Sequence, residues 1–190
     1  MISGLQEALE VIRSGGVVGL PTDTVYGIGV DPIDDEAVAA LYELKGRPEA
    51  RPIGVLAASF DQASMIGEIT GQGAELAARY WPGALTLVVR PRVILADWVG
   101  DRHAATVGVR VPDHPVAIEL LALSGPLAVT SANRSGGAET MTADEARAVF
   151  GDAVYYLAGS SPGGEPSTVV DVTGDHPIVI RQGPVVVDSR

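Results

Sequence analysis

Cysteine is absent from the 190 residues. Its absence excludes a disulfide, an iron–sulfur cluster and any thiolate ligand or nucleophile. Cations are scarce: 13 Lys and Arg stand against 24 Asp and Glu, a formal net charge of −11. Sequence-independent nucleic-acid binding runs on phosphate neutralisation by Lys and Arg, so this balance argues against it while leaving room for a local basic pocket. Aromatic residues make up only 5% of the chain, and Trp81 and Trp98 read as packing anchors rather than a stacking platform. No run of about 18 uncharged apolar residues occurs, so no membrane span is expected. Met1 to Glu7 has neither a basic start nor a long apolar run, so no signal peptide is read and a cytoplasmic location is expected.

What is present is an alternation of helical and strand patterns. The length suits one domain, residues 1–190, able to bury a core without staples. Ser3 to Gln6 reads as a capping box opening a helix with Leu5, Leu9 and Ile12 on its apolar face, ended by Gly15 and Gly16. Asp34 or Asp35 can cap a second helix, and Ser59–Gln62 and Thr142–Glu145 repeat the capping signature. Gly73–Tyr80 and Pro115–Leu123 are further helices. Strands are expected at 17–20, 53–57, 85–89, 106–111, 127–130, 154–157, 168–172, 178–181 and 185–187. The last four follow one another without a helix between, so part of the sheet is expected to be antiparallel. The fold class is therefore α/β of α+β type, one domain with a mixed sheet.

Four segments break the apolar pattern at strand ends. Pro21–Gly27 packs two hydroxyls, a carboxylate and a phenol into seven residues, as a polar turn or as a site. Lys45–Pro52 holds three cations; a helix C-terminus accounts for Lys45 but not for Arg47 and Arg51. Thr130–Gly137 combines small hydroxyl and amide groups with glycine, as a turn or an anion cradle, without the spacing of a Walker loop. In the strand 106–111, Val107, Val109 and Val111 share one face and Thr106, Gly108 and Arg110 the other. Arg110 is either an ion-paired core residue or one that reaches into a pocket, and Arg181, after Ile178-Val-Ile180, raises the same alternative. His103, His114 and His176 lack ligand spacing and read as surface residues, so no resident metal site is expected.

Together these segments resemble the YrdC-like family of L-threonylcarbamoyladenylate synthases, in its short single-domain form. The resemblance rests, in order, on Pro21-Thr-Asp-Thr-Val-Tyr-Gly27, Lys45-Gly-Arg-Pro48, Val107-Gly-Val-Arg-Val-Pro112, Thr130-Ser-Ala-Asn-Arg-Ser-Gly136, Ser167-Thr-Val-Val-Asp171 and Ile180-Arg-Gln-Gly-Pro184. It implies a twisted mixed sheet flanked by helices, with substrates in a concave cavity. It implies a nucleotidyltransferase reaction in which L-threonine, bicarbonate and ATP give threonylcarbamoyl-AMP and pyrophosphate, with Mg2+ bridging the phosphates. The product would serve N6-threonylcarbamoylation of adenosine 37 in tRNAs reading codons that start with A, through a downstream transferase, so any tRNA contact of this chain would be weak or indirect.

By position in the motifs, the resemblance assigns Lys45, Arg47, Ser131 and Asn133 to catalysis. It assigns the same four with Arg51, Thr106 and Arg181 to ATP, and Thr24, Arg110, the Val129 backbone and Ser167 to threonine. Three positions depart from the pattern. Arg51 replaces an Asn of many relatives, Leu56 a His of long-form relatives, and Glu139 a nucleotide-contacting Ser; Leu56 and Glu139 are not carried over. Gly163-Gly-Glu-Pro166 also replaces the usual lead into Ser167. An RNA-binding or ribosome-associated factor using the same cavity without catalysis is the alternative, and the charge of −11 weighs against it.

Overall fold

A computed structural model describes residues 2–46 and 52–187. The helices among them are α1 (Leu5–Arg13), α2 (Asp35–Lys45), α3 (Phe60–Ile66), α4 (Gly71–Tyr80), α5 (Pro115–Ser124) and α6 (Ala143–Phe150), and none is long and apolar enough to cross a membrane. The strands are β1 (Val17–Leu20), β2 (Gly27–Val30), β3 (Gly54–Leu56), β4 (Leu85–Val89), β5 (Val107–Arg110), β6 (Leu127–Ser131), β7 (Val154–Tyr156), β8 (Thr168–Asp171) and β9 (Ile178–Arg181). They form one sheet in the order β7-β1-β2-β6-β3-β5-β4-β8-β9. Three pairings are parallel, β1 with β7, β3 with β5 and β4 with β8, and the others are antiparallel. The mixed sheet expected from sequence is therefore observed.

Side-chain alternation gives the sheet two faces. One carries Ile28, Val30, Val55, Val109, Leu85, Leu87 and Val170, all at most 1% exposed, beneath residues of α2, α3, α4 and α6. The other carries Val18, Leu20, Leu56 and Leu127 at one end, covered by Leu5, Leu9 and Ile12 of α1 and Leu120 and Leu121 of α5. These two helices reach only the β7-side half. The remaining half of that face, running from β6 across β3, β5 and β4 to β8, stays open, and it forms the floor of the cavity described below.

Helix starts follow local chemistry. Asp34 Oδ1 accepts from the amides of Glu36 and Ala37, both at 3.0 Å, which settles the choice between Asp34 and Asp35. Ser59 Oγ accepts from Gln62 N at 3.2 Å and Thr142 Oγ1 from Glu145 N at 3.2 Å, while Glu145 reaches back to Met141 N. Ser3 does not cap α1, contrary to the sequence pattern. The chain enters that helix through Gly4 at φ 81°, without a side-chain cap. That φ favours glycine, and a Cβ there would also lie 2.5 Å from the Tyr155 hydroxyl, which would have to move. His114 is half-buried and caps α5 through Nδ1, at 3.2 Å from Val116 N, rather than standing free on the surface.

Two strand expectations fail for identifiable reasons. β2 has no counterpart in the sequence reading because two of its four residues are glycine, a weak strand former. The structure needs them: a Cβ on Gly27 or Gly29 would lie 2.8 Å from a Val129 methyl on the neighbouring strand. Val185–Val187, read as a strand, pairs with none. Thr168, fully buried in β8, takes the backbone groups of Val185 instead: its hydroxyl donates to Val185 O at 2.8 Å and accepts from Val185 N at 3.1 Å, and from Gly183 N at 3.0 Å. Thr168→Val should lower stability by about 2 kcal/mol, measured by denaturant unfolding, and should speed amide exchange at Gly183 and Val185 before the rest of the sheet.

Candidate active site

The open half of the sheet is the floor of a cavity of about 810 Å3. Its floor includes Gly54, Gly108, Thr86, Val88, Val129 and Val169, small or β-branched side chains that leave depth above the strands. Thr106, just before β5, and Arg110, its last residue, share this face, roughly 13 Å apart by strand rise. Polar groups converge at each end.

At the Thr106 end, Lys45 closes α2 and is 4% exposed. Its Nζ donates to Ser131 O at 2.7 Å and to Asn133 Oδ1 at 3.2 Å. Ser131 Oγ donates to the same Oδ1 at 2.6 Å, and Asn133 Nδ2 donates to Gly137 O at 2.7 Å. Two donors that meet one oxygen fix the orientation of the amide. The loop after β6 is further held by Ser135 N on Lys45 O at 3.0 Å and by Thr140 Oγ1 on Ala132 O at 2.9 Å. The helix C-terminus and the loop are therefore one rigid unit that presents an ammonium, a hydroxyl and an amide. A desolvated ammonium in this frame attracts an anion more strongly than a solvent-exposed one.

At the other end, Arg110 is 7% exposed. Both readings of this residue hold: it is ion-paired and it lines the cavity. Its Nη2 pairs with Asp23 Oδ1, its Nη1 donates to Thr24 Oγ1 at 3.2 Å, and its Nε donates to Gly83 O at 3.0 Å. Burial pulls the guanidinium below its ordinary value and the Asp23 carboxylate pulls it back. Three of five N–H donors are committed, leaving one on each terminal nitrogen for a ligand. Thr24 is fixed in turn by the Thr22 hydroxyl at 3.1 Å, which donates to Val25 O or shares its proton with Thr24.

Ser167, 6% exposed, completes this end beside Thr86, with 2.8 Å between their hydroxyl oxygens. Arg181 lies across β9, with Nε and Nη2 on Ser167 O at 3.1 and 2.8 Å. Desolvation lowers the Arg181 guanidinium from its ordinary value, and the Glu139 carboxylate opposes that. Glu139 does line the cavity, as does Leu56, although neither was carried over from the resemblance.

The structure thus brings Lys45, Thr106, Ser131, Asn133, Arg181, Thr24, Arg110, Val129 and Ser167 to one cavity. Arg47 and Arg51 lie outside the described residues. Sequence reasoning missed Asp23 as the partner of Arg110 and Thr86 as the partner of Ser167. Asp23 was visible as the carboxylate of the Pro21–Gly27 segment. Thr86 carried a weaker signal, a hydroxyl on the polar phase of Leu85–Val89.

Comparison with known proteins places this geometry. Residues 10–183 match the family model for Sua5, YciO and YrdC, described as telomere recombination. A Mycobacterium tuberculosis protein named "Putative threonylcarbamoyl-AMP synthase" is 48% identical over 185 residues, covering 96% of this chain and 85% of that protein. Pyrococcus abyssi Sua5 complexed with L-threonine superposes with a TM-score of 0.84 at 35% identity, covering 93% of this chain and 53% of that one, so this chain spans about half of the Pyrococcus protein. E. coli YciO superposes with a TM-score of 0.83 at 26% identity, covering 95% of this chain and 89% of that one. With the family model matched over nearly all of the sheet and both polar clusters, the chain belongs to the Sua5/YciO/YrdC family.

Proposed function

We infer that the protein is a threonylcarbamoyl-AMP synthase, an enzyme that joins L-threonine, bicarbonate and ATP and releases pyrophosphate. Relatives named for that activity align over 89–96% of this chain. The observation that carries the reading is the pairing of two preorganised cationic clusters at opposite ends of one strand face, Lys45–Ser131–Asn133 and Arg110–Thr24–Ser167, within a single cavity. A nucleotide is an elongated anion and threonine a small zwitterion, so the two substrates need two such ends.

The chemistry assigns the roles. The threonine amine adds to carbon dioxide from bicarbonate, and a carbamate oxygen then attacks the α-phosphorus as pyrophosphate leaves. Negative charge is redistributed over phosphate oxygens, so the protein's work is positioning and charge stabilisation. Lys45, with Ser131 and Asn133, meets the phosphates; Arg47 and Arg51, which lie outside the described residues, keep the ATP role that the family resemblance gives them. Thr106 and Arg181 complete the nucleotide contacts. Arg110 uses its two remaining donors on the threonine carboxylate, while Asp23 holds the guanidinium in place. Thr24, the Val129 backbone and Ser167 surround the rest of the amino acid.

Mg2+ belongs to the same proposal. It would neutralise charge on the phosphates. The cavity offers ammonium, guanidinium and hydroxyl groups, with Glu139 and Asp101 as carboxylates on its wall, and no cluster of three His, Asp or Glu forms among the described residues. This fits an ion that keeps its waters and enters on the substrate phosphates. The adenylate would pass to a downstream transferase acting on tRNA, and the net charge of −11 fits a chain that contacts tRNA weakly or indirectly.

Pyrophosphate release from ATP and Mg2+ should require threonine and bicarbonate together; release independent of threonine would defeat the reading. Lys45→Ala should reduce kcat at least about 100-fold in a folded protein. Arg110→Lys, which keeps the charge and loses the fork, should raise the KM for threonine about tenfold and leave that for ATP unchanged. Asp23→Ala, which strands a buried guanidinium, should cost about 3 kcal/mol of stability in denaturant titration.

A further inference from the structure

Thr86 is the polar exception on the cavity side of β4. The strand alternates: Leu85, Leu87 and Val89 are buried on the helix-covered face, while Thr86 and Val88 face the cavity. The register Leu87–Val109 places Thr86 one step along, beside Arg110 of β5, and its other neighbour is Val169 of β8. Its methyl group lies over Gly108, where a Cβ would come within 3.2 Å of it. Its hydroxyl is turned the opposite way, to 2.8 Å from Ser167 Oγ. The absence of a side chain at Gly108 leaves room for that methyl group, and the Ser167 contact sets the direction of the hydroxyl.

Proton counting gives the pair a task. Arg181 Nη2 donates to Ser167 Oγ at 3.2 Å, and a guanidinium can only donate. The two hydroxyls then share one hydrogen bond. Whichever oxygen is its donor, the other hydroxyl keeps a proton, and among the described residues no third acceptor meets it. The pair also retains lone pairs toward the cavity. A half-buried hydroxyl pair with one donor and spare acceptors is complementary to another hydroxyl, which both accepts and donates. It is a poor match for a methyl group, which would leave the donor desolvated and unpaired.

We propose that Thr86 is a specificity-determining residue that reads the β-hydroxyl of the amino-acid substrate jointly with Ser167, and so selects threonine against its isostere valine. This rests on the synthase reading above and adds to it the residue that sets side-chain choice. A site built to hydrogen-bond a hydroxyl rejects the analogue lacking one far better than an apolar pocket rejects an added methylene.

The test is pyrophosphate release from ATP, Mg2+ and bicarbonate with either threonine or valine, in the unaltered protein, Thr86→Val and Thr86→Ser. Thr86→Val should lower kcat/KM for threonine at least about tenfold with little change for valine, so that the threonine-to-valine ratio collapses while the KM for ATP holds. Thr86→Ser keeps the hydroxyl and should keep the ratio. If Thr86→Val fails to fold, Thr86→Ala, which removes the hydroxyl and adds no bulk at a half-buried position, gives the same comparison. A purely structural role would slow both amino acids alike, so an unchanged ratio in the folded Val or Ala variant overturns the proposal. Loss of the ratio in Thr86→Ser as well would also overturn it, by assigning selection to the methyl group. Absence of threonine-dependent release in the unaltered protein is a separate result, which removes the synthase reading itself.

Discussion

A guanidinium at the end of a valine-rich strand can leave water only if acceptors meet it, and Arg110 draws them from distant parts of the chain. Asp23 and Thr24 come from the loop between β1 and β2, and Gly83 from the turn before β4. Satisfying this one side chain forces the first loop to arch over the sheet toward β5. That arch closes one wall of the cavity. Because the acceptors occupy only three of the five donors, the group that organises the wall also keeps an interaction available for a ligand. The wall and the open cavity are served by different hydrogens of the same side chain.

The cavity itself is a consequence of incomplete coverage. Strands must bury their apolar face, and α1 with α5 does this for β7, β1 and parts of β6 and β3. Beyond those helices the same face changes composition, to Gly54, Gly108, Thr86 and Arg110 with scattered valines. Glycine contributes depth and the polar residues hydration or ligand contacts, so the surface is stable without a helix above it. The rigid Lys45–Asn133–Ser131 unit stands at one end of this floor, held by α2 on the opposite face of the sheet. The site is thus assembled from both layers of the fold.

Much of this was legible in the sequence because local signals agreed with the tertiary outcome. The alternation of Val107, Val109 and Val111 against Thr106, Gly108 and Arg110 gave both faces of the sheet from six residues. Asp34, Ser59 and Thr142 announced their helices through backbone chemistry that needs no knowledge of the fold. The failures share a cause as well. Gly27–Val30 is a strand because of a neighbour 100 residues away, Val129, that tolerates only glycine. Val185–Val187 has strand-forming residues, but the backbone groups of Val185 go to the Thr168 side chain. Asp23 and Thr86 acquire meaning only when their partners, Arg110 and Ser167, are placed beside them. Pairwise chemistry across long separations is what a linear pattern does not carry.

Both polar clusters are built from such separations. Arg110 meets Asp23 across 87 residues, Lys45 meets Asn133 across 88, and Thr86 meets Ser167 across 81. The β7-side edge is likewise made by the first strand pairing with β7. No contiguous half of the chain therefore contains a whole cluster, and neither end of the cavity can be inherited, exchanged or lost as a module. Recombination between family members at a single crossover would separate every one of these pairs if it fell between residues 86 and 110. Sequence change in this family should consequently be constrained in couples, with the partners of a pair moving together through evolution even where the intervening chain drifts.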